Sequence, residues 1–187
     1  MIAALGLEAA PTGSAGEVII PAIGADGRLE PVEKLEAHRT GQLHLAVSVF
    51  VFDPDGRLLV QRRAAAKYHC PGMWANTCCT HPHWGEELAE AAHRRTREEL
   101  GFDVPLNRRR TIDYRAEVGG GLVEHERVTM FRATVDPDAL RIAPNPEEVD
   151  AVDWLTVSEL RARVGEGEMA LAPWFAIYLE RFPQLDI

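Results

Sequence analysis

The chain has 187 residues and a mass of 20.7 kDa, enough for one domain with a real core and short for two. Apolar residues make up 46% and charged residues 26%, the composition of a soluble globular protein rather than a disordered one. Twenty basic against 29 acidic residues give a charge of −9, which argues against a general nucleic-acid binder or a polybasic membrane-surface protein, and no apolar stretch reaches the ~18–20 residues of a membrane helix.

Residues 1–16 are rich in small residues and have no period, so a loose N-terminal segment is expected there, followed by a single domain over 17–187. The segment has no positive n-region and no long apolar h-region, so it does not read as a secretory signal. Three cysteines, two of them adjacent, are a poor disulfide framework, and a reducing, cytoplasmic setting is expected. Val18–Ile23 and Leu29–Val32 read as short strands around a turn at Asp26-Gly27. Leu43–Phe52 is apolar on both faces and β-branched, which predicts a buried strand. Asp53-Pro-Asp-Gly56 is a turn signal, with Leu58–Arg62 returning as the second arm of a hairpin. Ala64–Trp84 reads as a long loop without period, carrying all three cysteines, three histidines and two tryptophans. Glu86–Leu100 has helix propensity and stops at Gly101. Thr111–Val118 and Leu122–Val135 flank a Gly triplet as a hairpin, Ala151–Leu155 is a short strand, and Ser158–Val164 and Pro173–Phe182 are helices. This order predicts an α/β fold: a mixed sheet with helices on both faces.

Several groups of residues carry chemistry. Glu124 and Glu126 are two apart and share one face of a strand, either as a solvated edge or as a carboxylate pair around a cation. His44 sits inside an apolar strand, whereas His38 lies in a polar stretch. His44, His81 and the carboxylate pair offer the imidazole and carboxylate mixture that divalent transition metals favour, although neither an HExxH nor a CxxC motif is present. In Asn76-Thr-Cys-Cys-Thr-His-Pro82 a cysteine stands two residues before a histidine, a pattern open to a metal ligand, a nucleophile or base, or a small buried hydrophobe. Arg62-Arg63-Ala-Ala-Ala-Lys67 presents cations suited to a diphosphate.

The helix from Glu86 through Arg94, Glu98 and Glu99 to Gly101 resembles a Nudix box with two substitutions: Thr80 at the opening Gly, and Arg95 at the Glu that follows the box Arg. Nudix hydrolases cluster carboxylates on one helical face to bind several Mg²⁺ ions and activate water. Arg95 and Glu99 are four apart and share a face. That face suits one Mg²⁺ and one phosphate, and is poor at assembling a hydrolytic metal cluster.

LEAH…LHLAVSVFVF, LLVQRRAAAKYHCPGMWANTCCTHP, RRTREELG, Tyr114, VEHE and the late APW together resemble the type I isopentenyl-diphosphate Δ-isomerases, over about Leu29 to Tyr178. The resemblance implies a Nudix-like α/β/α sandwich. It implies that His38, His44, His81, Glu124 and Glu126 ligate one divalent metal (Mn²⁺, Zn²⁺, Fe²⁺ or Mg²⁺), and that Glu99, with the backbone carbonyl of Cys79, holds a Mg²⁺ shared with the substrate diphosphate. Arg63, Lys67 and Arg95 match diphosphate contacts, Cys79 the catalytic cysteine, Glu126 with Tyr114 the opposite proton-transfer partner, and Trp174 the aromatic residue facing a developing cation. The gap from His38 to His44 is one residue shorter than in some bacterial members.

The implied reaction converts isopentenyl to dimethylallyl diphosphate by adding a proton at C4 and removing one from C2, with Glu126 and Tyr114 on the acid side and Cys79 as base. The implied partner is a small diphosphate, with no nucleic acid or membrane, and the implied state is a monomer or weak homodimer. The competing readings are a Nudix hydrolase of a nucleoside diphosphate derivative, against which Arg95 stands, and a silent metal-binding or interaction module.

Overall fold

The computed structural model describes residues 18–67 and 69–187; the expected loose segment over 1–16 lies outside them. The strands among these residues form one sheet: β1 (Ile19–Ile23), β2 (Leu29–Glu33), β3 (His44–Phe52), β4 (Leu58–Arg63), β5 (Trp74–Ala75), β6 (Cys78–Thr80), β7 (Asn107–Gly119), β8 (Leu122–Thr134) and β9 (Val149–Leu155). The helices are α1 (Lys34–Thr40), α2 (Leu88–Leu100), α3 (Val157–Gly165) and α4 (Pro173–Arg181). The sheet is mixed, as expected: β3 and β8 run parallel, and the other named pairs antiparallel. No helix among the described residues is long and apolar enough to cross a membrane.

β3 is the spine, pairing with β1, β4, β6 and β8. Successive side chains on a strand point to opposite faces, and β3 buries both. Ala46, Phe50 and Phe52 join a core cluster with Leu160 of α3 and Trp174, Phe175 and Tyr178 of α4. Val47, Val49 and Val51 join a second cluster with Ala91, Ala92 and Leu100 of α2. The run that reads as continuously apolar is therefore one strand between two helical layers.

Three local features differ from the sequence reading. The residues around His38 form α1, begun by the Glu33 carboxylate accepting from the Leu35 and Glu36 amides and ended by Gly41 at φ +67°. The β3–β4 arms pair only at Phe52 and Leu58 and then diverge, because β6 pairs with β3 over Val47–Val49 and β9 pairs with β4. The supposed loop over 64–84 contains β5 and β6. α2 ends as expected at Gly101, φ +75°, where an added Cβ would lie 2.6 Å from the Ala143 carbonyl oxygen. Gly101→Ala is expected to cost about 2 kcal/mol, since a left-handed backbone and a backbone clash act together. Thermal melting checks this, and an unchanged Tm would contradict it.

Candidate active site

Cross-strand register assembles the site. His44 on β3 is the parallel neighbour of Glu126 on β8, and Tyr114 on β7 is the antiparallel neighbour of Glu126. Cys79 on β6 is paired with Ser48 on β3. All these side chains emerge on the α3/α4 face. Cys78 points the other way and is fully buried in the α2 cluster. A cavity of about 320 Å³ is lined among others by Cys79, His81, Tyr114, Glu124, Glu126 and Trp174 and, from the cationic side, by Lys34, Arg63, Lys67 and by Arg95 and Glu99 of α2.

His38, His44, His81 and Glu126 are all buried and offer four ligand atoms within 4.8 Å of one another. The His38 and His44 rings are 4.9 Å apart, so the short gap between them, which contains the αL residue Gly41, still brings both to one centre. The Nδ1 atoms of His38 and His44 lie 2.6 and 2.7 Å from the carbonyls of Lys34 and Gln42, a contact that requires Nδ1–H and turns Nε2 towards the cluster. Among the described residues His38 Nε2 has no hydrogen-bond partner, and the Nε2 atoms of His44 and His81 sit 3.2 Å apart. Three buried ring nitrogens converging on a carboxylate form a donor set that suits a divalent transition metal. Glu124 stands beside this group rather than in it: it accepts from Tyr114 Oη at 2.9 Å and lies 3.5 Å from His69 Nε2.

Tyr114 Oη also donates to Glu126 at 2.7 Å, so one phenolic hydrogen spans both carboxylates. The pair titrates in opposite directions. Burial and the neighbouring Glu126 charge push Glu124 well up. Burial also opposes ionisation of Glu126, but its contacts with His44 and His81 outweigh burial and hold it well below the usual carboxylate range. Burial pushes the Cys79 thiol up to about 12. Its sulfur lies 3.1 Å from Asn76 Oδ1 and 3.2 Å from Ser48 Oγ.

The cationic part is organised around α2. Glu99 is buried, forms an ion pair with Arg95 (Nε to Oε1 2.9 Å) and accepts from Gln61 Nε2 at 2.8 Å. Arg95 also contacts Glu148 at 2.6 Å and Glu98 at 3.1 Å, and Lys67 shares the same Glu148 oxygen. Burial opposes the Arg95 charge, but Glu99 and Glu148 raise its pKa further. A register shift between Arg62 and Arg63 turns the end of β4, and the Arg63 guanidinium lies 5.2 Å from the centre of the Trp174 ring. Lys34 was not singled out from the sequence. It lines the cavity, and burial, with Lys67, Arg95 and Arg63 nearby, brings its ammonium down to about 8. Its signal is the four-residue spacing to His38, which places both on one helical face. The box residues Glu86 and Arg94 pair at 2.7 and 2.9 Å and tie the incoming loop to α2.

The NUDIX domain family model matches residues 42–175. Solved structures agree in fold: a Deinococcus radiodurans protein superposes with a TM-score of 0.64 at 18% identity, covering 88% of this chain and 99% of that one. A MutT protein from Methanosarcina mazei gives 0.59 at 17% identity, covering 75% and 93%. The chain belongs to the Nudix family. The isopentenyl-diphosphate Delta-isomerase of Jannaschia sp. is 50% identical over 161 residues, 86% of this chain and 90% of that protein. The protein of the same name from Dinoroseobacter shibae is 55% identical over 157 residues, covering 82% and 87%. Within the Nudix family, the chain belongs among the isopentenyl-diphosphate Delta-isomerases.

Proposed function

We propose that this chain interconverts isopentenyl and dimethylallyl diphosphate, with Cys79 and the Glu126–Tyr114 pair as the two proton-transfer groups. The observation that carries this reading is their convergence, with Trp174, on one cavity that is also lined by five cationic side chains, Lys34, Arg63, Lys67, Arg94 and Arg95. The reaction adds a proton at C4, which places a positive charge on C3, and removes one from C2. An unactivated alkene is a very weak base, and water would capture the tertiary cation. The site must therefore supply an acid, a base and a dry wall. Trp174 and Tyr114 are buried and provide such a wall. The indole face stabilises the cation, an interaction worth ~2 kcal/mol when desolvated. Lys34, Arg63, Lys67 and Arg95 hold the diphosphate away from the reacting carbons, which is catalysis by positioning.

The two sides trade one proton. In the isopentenyl-to-dimethylallyl direction the Glu126–Tyr114 side gives it up at C4 and Cys79 receives one from C2; the reverse direction exchanges the roles. Burial raises the Cys79 pKa and the imidazole contacts lower that of Glu126, a bias towards thiol and carboxylate that matches the start of the reverse direction. His38, His44, His81 and Glu126, with Glu124 beside them, would hold a divalent metal, and Glu99 with the Cys79 carbonyl would hold a Mg²⁺ shared with the diphosphate. A divalent cation bound at the His/Glu cluster supplies Lewis acidity to the Glu126–Tyr114 side.

The test is incubation with isopentenyl diphosphate followed by acid treatment. The allylic product is acid-labile, so acid-released label is expected; its absence, with the metals supplied, would reject the reading. The hydrolase alternative is opposed by Arg95, whose guanidinium occupies the space between Glu98, Glu99 and Glu148 where a hydrolase would gather metals. Arg95→Glu is expected to raise KM for isopentenyl diphosphate at least about tenfold, through the loss of a charge-assisted contact. It should release no phosphate or pyrophosphate from nucleotides, because Thr80 and its loop stay unchanged; nucleotide hydrolysis by this variant would contradict the account.

A further inference from the structure

The Cys79 sulfur is held by groups the mechanism above does not use. Asn76 is fully buried, and its Nδ2 donates to the carbonyls of Val49, at 3.0 Å, and Cys78, at 3.1 Å. Both amide hydrogens are thereby committed. Turning the amide over would set its oxygen against two carbonyls in a site without water access, so Oδ1 has one direction available. It faces Cys79, whose thiol donates to it at 3.1 Å.

The thiol has only that one hydrogen, so the Ser48 hydroxyl, 3.2 Å from the sulfur, must be the donor in their contact. Ser48 Oγ then accepts from the Tyr178 hydroxyl at 3.0 Å. The result is a chain of fixed direction: Tyr178 to Ser48 to Cys79 to Asn76. Its ends rest on different elements. Asn76 is fastened to β3 and β6 through backbone carbonyls, and Tyr178 lies one turn after Trp174 on α4. Ser48 and Tyr178 are themselves buried. A polar serine on the face where β3 otherwise packs Ala46, Phe50 and Phe52 has no packing rationale, and its partners supply one.

We infer that Asn76, Ser48 and Tyr178 are positioning residues that hold the Cys79 sulfur at the cavity beside the Trp174 wall: Ser48, backed by Tyr178, donates to the sulfur whether it is thiol or thiolate, and Asn76 accepts the thiol hydrogen whenever the substrate does not hold it. The inference rests on the reading of Cys79 as a proton-transfer group. Reaction at carbon tolerates little misplacement, and a shift of about 1 Å in a reacting group costs about a hundredfold in rate. Loss of the chain should therefore appear in kcat and not in diphosphate binding, since none of the three residues lines the cationic part of the cavity.

The test is a double-mutant cycle with Ser48→Ala and Tyr178→Phe, each measured for kcat, KM and Tm on the metal-loaded enzyme. Ser48→Ala is expected to lower kcat about tenfold to hundredfold, with KM for isopentenyl diphosphate within about twofold of wild type. Tyr178→Phe, which keeps the ring and its packing, is expected to lower kcat less. The double variant should be no slower than Ser48→Ala, because both act through one chain. Additive losses, a parallel rise in KM, or wild-type kcat in Ser48→Ala would each overturn the inference. Asn76→Ala leaves two carbonyls unpaired and is uninformative if it does not fold, so the cycle decides without it. Cys79→Ala separates the two levels: an inactive Cys79→Ala beside a fully active Ser48→Ala rejects only the positioning role, whereas an active Cys79→Ala rejects the function it serves.

Discussion

Cys79→Ala is expected to lower kcat by about three orders of magnitude or more while the protein still folds. The rate loss follows from the role: a positioned acid or base contributes about 10²–10⁴-fold, and the neighbouring Ser48 hydroxyl is already committed as a donor to this sulfur. The folding argument is equally local. Cys79 is only half-buried and lines the cavity, so truncation enlarges a space that is already open rather than making a void in a packed core. Cys78 gives the internal contrast. It is fully buried between Val47, Val49 and α2, so Cys78→Ala should lower stability and leave the chemistry standing. Steady-state kinetics with a thermal melt on each variant checks both statements. A Cys79→Ala enzyme with near wild-type turnover would end the assignment.

Glu126→Gln is expected to lose at least as much activity and to lose metal as well. The carboxylate lies 2.9 Å from His81 Nε2, 3.8 Å from His44 Nε2 and 2.7 Å from Tyr114 Oη, so one group serves the imidazole cluster and the proton-transfer pair together. An amide of the same shape keeps the packing but can neither carry the charge nor exchange the proton. Turned towards the imidazoles its NH₂ would also occupy the direction a metal needs, and turned towards Tyr114 it would meet a phenol that donates there. Metal analysis on the purified variant should fall below one divalent ion per chain at the His/Glu cluster, with kcat down about a thousandfold. Full metal content with full activity would show that Glu126 is a bystander. Glu124→Gln is the sharper comparison. Glu124 lies outside the four-ligand group, so Glu124→Gln should retain more metal than Glu126→Gln.

Much of the frame can be read directly from the residues, because its signals are local. Leu43–Phe52 announces a strand buried on both faces, Gly101 ends α2 in a left-handed conformation, and Gly119–Gly121 turns the long hairpin. What escapes notice is either short or non-local. α1 has seven residues and a glutamate as its N-cap in place of the usual Ser, Thr, Asp or Asn, so the stretch holding His38 looks merely polar; in the fold His38 is fully buried. β7 begins at Asn107, four residues before its apolar alternation starts, because Asn107 and Arg108 pair with Arg132 and Phe131 on β8 and gain order from that partner. β5 and β6 are two and three residues long and exist only as additions to β4 and β3.

The same division runs through the site. Glu124 and Glu126 are two apart on a strand, and Arg95 and Glu99 four apart on a helix, and these pairs carry their own periodicity. Ser48 and Tyr178 become neighbours of Cys79 only through strand register and the docking of α4, 31 and 130 positions apart along the chain in the contacts they make. Asn76 is close in sequence but acts through two backbone carbonyls, one of them on β3, which residue type alone does not reveal.

The measurement that bears most directly on the account is a crystal structure of the metal-loaded protein with an unreactive saturated analogue of isopentenyl diphosphate. The account predicts the diphosphate among Lys34, Arg63, Lys67 and Arg95, with the Cys79 sulfur and the Glu126–Tyr114 pair at about 3.5 Å from carbons two bonds apart, on opposite faces of the chain. An analogue bound with both groups on one face, or with the sulfur out of reach of every carbon, would contradict it.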